Sequence, residues 1–183
     1  MINSVQLKAI IGINVRYTDI QIADLVKNLN IVFEKYSINT VLRMSHFLAQ
    51  VMHESCYFRY TKEIWGPKPT AQQLTYEGRK DLGNIYPGDG FRYRGRSWIE
   101  DTGRDVYTRL SKEFGQDFVN NPDLLSQMPW CALASGSFWN DKNLNILADT
   151  DNPVAITKKV NGGLIGLSDR LLILAVCKKV LTN

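Results

Sequence analysis

Apolar positions recur at helical intervals over most of this chain. In "TDIQIADLVKNLNIVFEKYS", Ile22, Leu25, Val26, Leu29, Val32, Phe33 and Tyr36 fall on one face. Thr18 and Asp19 stand just ahead of them, where a helix start needs a side-chain cap. After the turn-like "SIN", a second helix starts near Thr40 and gathers Val41, Met44, Leu48, Val51 and Met52 on one side. Over residues 64–97 the periodicity stops. In "IWGPKPTAQQLTYEGRKDLGNIYPGDGFRYRGRS", Gly and Pro lie between scattered aromatics, which predicts a long ordered loop region with a small β-hairpin in it. Helical pattern returns over 98–114, 122–127 and 130–140. Two more helices follow, "NPVAITKKV" with Pro153 in its first turn and the terminal "SDRLLILAVCKKVL". Neither a repeat nor a low-complexity tract nor a linker divides the pattern. It predicts one mainly α-helical domain over residues 1–183, wrapped around a Gly-rich aromatic middle. Long ordered loops of this kind commonly carry function, so the cleft is expected there.

Composition narrows the classes. At 183 residues, 44% hydrophobic and 22% charged, the chain is an ordinary globular protein, able to bury roughly 70% of its unfolded surface and with room for two small lobes. A net charge of +4 suits an anionic partner without naming one. Cys56, Cys131 and Cys177 are odd in number and lack metal-ligand spacing, so they read as reduced thiols, Cys56 as a buried inert one. The start "MINSVQLKAIIGIN" has too short an apolar run to be a secretory signal. No stretch approaches about 18 uninterrupted apolar residues, so stable membrane insertion is not expected.

Two carboxylates raise a chemical question. Glu54 falls at the margin of the second helix's apolar arc, beside Phe47, where partial desolvation favours the protonated form that a general acid needs. Glu63 follows nine residues later. A continued helix would put the two on opposite faces, roughly 13 Å apart. The segment "CYFRYT" between them is rich in aromatics and poor in helix formers, so a break that folds Glu63 back across a groove is expected. Carboxyls facing one another at about 6.5–9.5 Å, one protonated and one ionised, are the apparatus of inverting glycoside hydrolysis.

The words "HES", "YEGRKDLGN", "PGDGFRYRGR", "TGRDVY" and "VNGGLIGLSDR", in that order, resemble the lysozyme-type branch of glycoside hydrolase family 19, the plant-chitinase-like endolysins of phages and prophages. The resemblance runs from about Met44 to Arg170. It implies a lysozyme-like, two-lobed helical fold, with Glu54 as general acid, Glu63 as general base and Thr102 holding the water. It also implies His53, Trp98, Glu100, Tyr107, Asn161 and Arg170 as residues lining or contacting the sugar, Arg170 helping to set the charge state of Glu54. Trp65 flanks the same cleft, whereas Trp130 and Trp139 read as core. The implied substrate is the peptidoglycan glycan strand, cut by a monomer without metal or organic cofactor. The implied setting is the host bacterial cytoplasm, with access to the wall after holin-type release. A chitinase on the same scaffold and a non-catalytic glycan-binding protein are the rival readings.

The chain departs from the family pattern within "RGRSWIEDTGRDVY". Ser97 stands for a glycine, Glu100 for a glutamine, Asp101 for an apolar residue and Val106 for an asparagine. Glu100 adds a third carboxylate near two others, and Asp101 is costly unless Arg94, Arg96 or Arg104 pairs with it. Other chemistries fit poorly. "HESCY" lacks the second histidine of a zinc-protease motif, so His46 and His53 do not read as metal ligands. The glycines of "GDGFRYRGRS" lack the Gly-Lys-Ser/Thr ending of a phosphate loop. Arg92, Arg94 and Arg96 alternate with Tyr93, but no nucleic-acid recognition fold accompanies them, so they read as partners of Asp89, Asp101 and Asp105 or of the substrate.

Overall fold

Caps written into the sequence start the first helices of the computed structural model, which describes residues 1–182; residue 183, the last of the predicted domain span, lies outside the described residues. Helix α1 (Ser4–Ile11) opens on a capping box between Asn3 and Gln6, and α2 (Asp19–Lys35) on one between Thr18 and Gln21. In α3 (Val41–Glu54), Thr40 accepts the Arg43 backbone N–H. One-turn helices α4 (Ala71–Leu74) and α5 (Asp89–Arg92) punctuate the middle region. Beyond it come α6 (Arg104–Phe114), α7 (Trp130–Asp141), α8 (Leu144–Asp149), α9 (Pro153–Asn161) and α10 (Leu167–Thr182).

Two cores divide the molecule into lobes. The larger joins Leu7, Leu29, Phe33, Phe47, Leu48, Trp139, Leu174 and their neighbours, with α10 laid along α3 as its most extensive helix pair. The smaller gathers Tyr93, Tyr107, Leu110, Phe118, Leu125 and Ala134, with Trp130 packed against it. The mainly α, two-lobed expectation is met. No helix among the described residues is long and apolar enough to cross a membrane.

Several local expectations are corrected. The helical pattern over 98–114 yields a helix only from Arg104, because Ser97 and Glu100 adopt left-handed φ of 75° and 60°. In place of a β-hairpin there are two isolated bridges, Lys62 to Arg96 and Arg96 to Asp101. The 122–127 stretch is a 3-10 turn over Pro122–Ser126. Cys56 is exposed, while Cys131 and Cys177 are buried thiols, and all three are free.

Candidate active site

The break after Glu54 is built from backbone strain. Cys56, Tyr57 and Phe58 are all left-handed, at φ 49°, 60° and 66°, a conformation costing about 1–2 kcal/mol per non-glycine residue. Three contacts hold it. The Phe58 N–H donates to Ser55 Oγ at 2.8 Å, Ser55 Oγ donates to the Val51 carbonyl, and Tyr17 Oη donates to the Tyr57 carbonyl at 2.8 Å. The chain therefore reverses direction within four residues of Glu54.

It then runs extended to Glu63, which is fixed on three sides. The Glu63 N–H donates to the Gly95 carbonyl at 2.8 Å, and the Gly95 N–H donates back to Glu63 Oε2 at 3.4 Å. Gln73 Nε2 reaches both Glu63 Oε1 and the Ile64 carbonyl at 3.1 Å. Gln73 is itself locked, because its Oε1 accepts the Thr70 N–H in the capping box of α4.

Glu54 ends α3 with its side chain 21% exposed, ion-paired to Arg170 Nη2. Arg170 is 1% exposed and is held by Gln50 Oε1 at 2.7 Å and the Ile165 carbonyl at 3.3 Å. Burial pulls the Arg170 guanidinium below its usual range while the negative charge of Glu54 opposes the fall. His53, beside Glu54, is oriented by Asp169 through a 2.5 Å contact from Nδ1. Gly166, at φ 75°, presses on both His53 Nε2 and Arg170 Nη1, so a Cβ there would collide with each.

Glu100 lies close to both glutamates. A Cβ placed on Gly95 would meet Glu100 Cβ at 3.0 Å and Thr102 Oγ1 at 3.4 Å, which puts both residues against the backbone that Glu63 grips. Glu100 keeps solvent contact, yet crowding by protein atoms, then the charges of Glu63 and Glu54, push its carboxyl up to about 7. Both carboxylates thus act on the Glu100 carboxyl. Thr102 Oγ1 donates to the Glu100 carbonyl at 2.7 Å, so its hydroxyl can hold a water only by accepting from it.

Not every candidate reaches this groove. Trp98 is fully buried, edge-on to Phe58 at 4.8 Å between centroids, and cannot stack on a sugar. Tyr107 is likewise fully buried, its Oη donating to the Arg94 carbonyl at 2.7 Å and accepting from Arg96 at 2.8 Å. Trp98 belongs to the larger core and Tyr107 to the smaller one, so both serve packing instead of contacting substrate. Asn161 is exposed at the last position of α9, and no hydrogen bond ties its side chain to the carboxylates among the described residues. The arginines divide differently from expectation. Arg104 pairs with Asp89, Arg96 with Asp123, and Arg94 donates to the Phe91 carbonyl. Asp101 is left to Ser97, whose Oγ donates to it at 2.8 Å. Two of the four departures in that stretch thus partner each other.

Sequence reading passed over Gln73, Gln50, Asp169 and Gly166. The Thr-x-x-Gln capping box at 70–73 was a legible signal for the first. The others are recognisable only from what they touch.

No model of a known protein family matches the chain. A glycosyl hydrolase family 19 domain-containing protein of Haemophilus influenzae is 30% identical over 162 residues, spanning 75% of this chain and 79% of that relative. Chitinase C of Streptomyces griseus shares the fold with a TM-score of 0.71 at 21% identity, over 99% of this chain and 76% of that one. A bacterial family 19 chitinase shares it with a TM-score of 0.68 at 20% identity, over 98% and 94%. With a family 19 relative 30% identical and matched over most of its length, the chain belongs to glycosyl hydrolase family 19.

Proposed function

We propose that this glycoside hydrolase family member cuts the β-1,4 bonds of bacterial peptidoglycan with inversion, as an endolysin. The observation that most supports the reading is that Glu54 and Glu63, on either side of the left-handed turn at 56–58, both act on the Glu100 carboxyl, with Glu63 clamped by Gly95 and Gln73. Glu54 gives its proton to the glycosidic oxygen as the bond to the anomeric carbon breaks. Glu63 takes a proton from a water whose oxygen attacks that carbon from the opposite face, the water donating its other proton to Thr102 Oγ1. Arg170, fixed by Gln50, stabilises the Glu54 carboxylate left behind. His53 and Asn161 present polar atoms to the sugar.

A net charge of +4 and the lysozyme-type words around Glu54 favour the anionic wall as substrate. In this setting the protein is a monomer made in the host cytoplasm, where its three free thiols stay reduced, and meets the wall after holin-type release. A second reading, cleavage of chitin oligomers, is favoured by the solved neighbours, which are chitinases.

Purified peptidoglycan and chitin oligomers, each incubated with wild type and Glu54→Gln, test both. Clearing of peptidoglycan that drops about 10²–10⁴-fold in the variant is the expected result. Cleavage of chitin alone moves the assignment to the second reading. Equal rates for wild type and variant would remove the acid role of Glu54.

A further inference from the structure

Glu100 packs against Gly95, whose N–H reaches Glu63, and carries the charge influence of Glu54 as well; three carboxyls so clustered cannot all be ionised cheaply, and the reaction proposed above assigns a role to only two. Glu54 has Arg170, and Glu63 has Gln73 and the Gly95 N–H. The Glu100 carboxyl makes no hydrogen bond among the described residues, although its backbone is fixed by Thr102 and held in a left-handed conformation. It stands free beside the backbone that carries the base.

We propose that Glu100 works as a neutral carboxylic acid, donating its O–H to the glycan strand in the cleft, and that loss of this proton weakens substrate binding. The proposal rests on the glycosidase reading. A protonated carboxyl has one donor; an ionised one has none and turns toward the sugar as an acceptor only. The groups that face Glu100 keep the proton in place. Glu63 comes from the extended segment after the reversal, Glu54 from the end of α3, and the Tyr76 phenol, itself pushed up by burial and by Glu63 and Glu100, follows α4. The nearby cations are engaged elsewhere: Arg170 pairs with Glu54, and Arg94 donates to the Phe91 carbonyl and stacks on its ring at 4.3 Å. With its carboxyl pushed up to about 7, Glu100 is mostly neutral in mildly acidic solution and mostly ionised above neutrality.

The test is the pH dependence of KM and kcat, taken separately, for wild type and Glu100→Gln on the glycan that wild type cleaves. Glutamine keeps a donor and cannot ionise in this range. KM of the wild type is expected to rise by up to about tenfold per pH unit above 7, while KM of Glu100→Gln stays flat across the same interval. Since KM reads binding and Glu54 acts in the bond-breaking step, loss of the acid's proton appears in kcat instead. A KM that is flat in both proteins, or that rises equally in both, overturns the proposal while leaving the hydrolase intact. Failure of wild type to cleave any glycan at any pH overturns the glycosidase reading and this proposal with it.

Discussion

At position 101 a carboxyl sits where water does not reach, with Ser97 Oγ as its side-chain partner. Burial pushes Asp101 up to about 7, and the hydrogen bond from Ser97 only partly offsets that. An acid whose folded pKa lies above its unfolded value of 3.8 makes the folded state bind more protons than the unfolded one between those limits. Stability from this residue therefore falls as pH rises from about 4 to 7, by at most roughly 1.4 kcal/mol per unit, and is flat beyond. Asp101→Asn keeps a partner for Ser97 and removes the proton, so its stability, followed by thermal melting from pH 4.5 to 8, is expected to lack that decline and to exceed wild type at pH 8. Parallel curves for the two proteins would mean that Asp101 is hydrated and ionised in the folded state. The same stretch shows why residue type alone misled at two places. Trp98 and Tyr107 have the chemistry of sugar contacts, yet both are fully buried, and nothing in a tryptophan or a tyrosine says whether its face meets glycan or core.

Between elements, the surroundings of Glu54 form a clasp of α3 and α10. Each supplies one member of the Glu54–Arg170 and His53–Asp169 pairs, and the turn at Gly166 sets their spacing. Two glycines near this clasp separate strain from collision. Gly162 and Gly166 share nearly the same φ, 77° and 75°, but a Cβ on Gly162 meets nothing within 4 Å, whereas one on Gly166 strikes His53 and Arg170. Gly162→Ala is expected to cost about 1 kcal/mol from conformation alone, and Gly166→Ala on the order of 1–3 kcal/mol more, with activity falling further than in Gly162→Ala. Equal losses in stability and turnover from the two variants would show that the clasp yields freely. Helices α2 and α3 were legible because caps and 3.6-residue periodicity agree there. The eight-residue α1 and six-residue α8 were not, being too short for periodicity to speak. The reversal after Glu54 was legible as a break in pattern. Its left-handed geometry was not, since Cys, Tyr and Phe carry no preference for it.

Across the whole molecule, charge is distributed against function. Glu54, Glu63 and Glu100 concentrate acid near one another, yet 22 basic residues outnumber 18 acidic ones over the chain, so the surplus positive charge lies elsewhere. Much of the surface charge is cancelled locally, as in Lys8–Asp19, Arg43–Asp149, Arg79–Asp81 and Lys178–Asp151, and such exposed pairs add little stability. On the proposed peptidoglycan reading, the net surplus acts at long range and draws the protein to the polyanionic wall, while a neutral oligosaccharide feels only the site itself. These two kinds of attraction differ in their response to salt. The screening length shrinks from about 30 Å at 0.01 M to about 10 Å at 0.1 M, which removes long-range steering and leaves short hydrogen bonds intact. Hydrolysis of intact sacculi is expected to slow on the order of tenfold over that range, and hydrolysis of neutral oligosaccharides to stay level. Should both substrates respond alike, the basic surplus would have no part in docking to the wall.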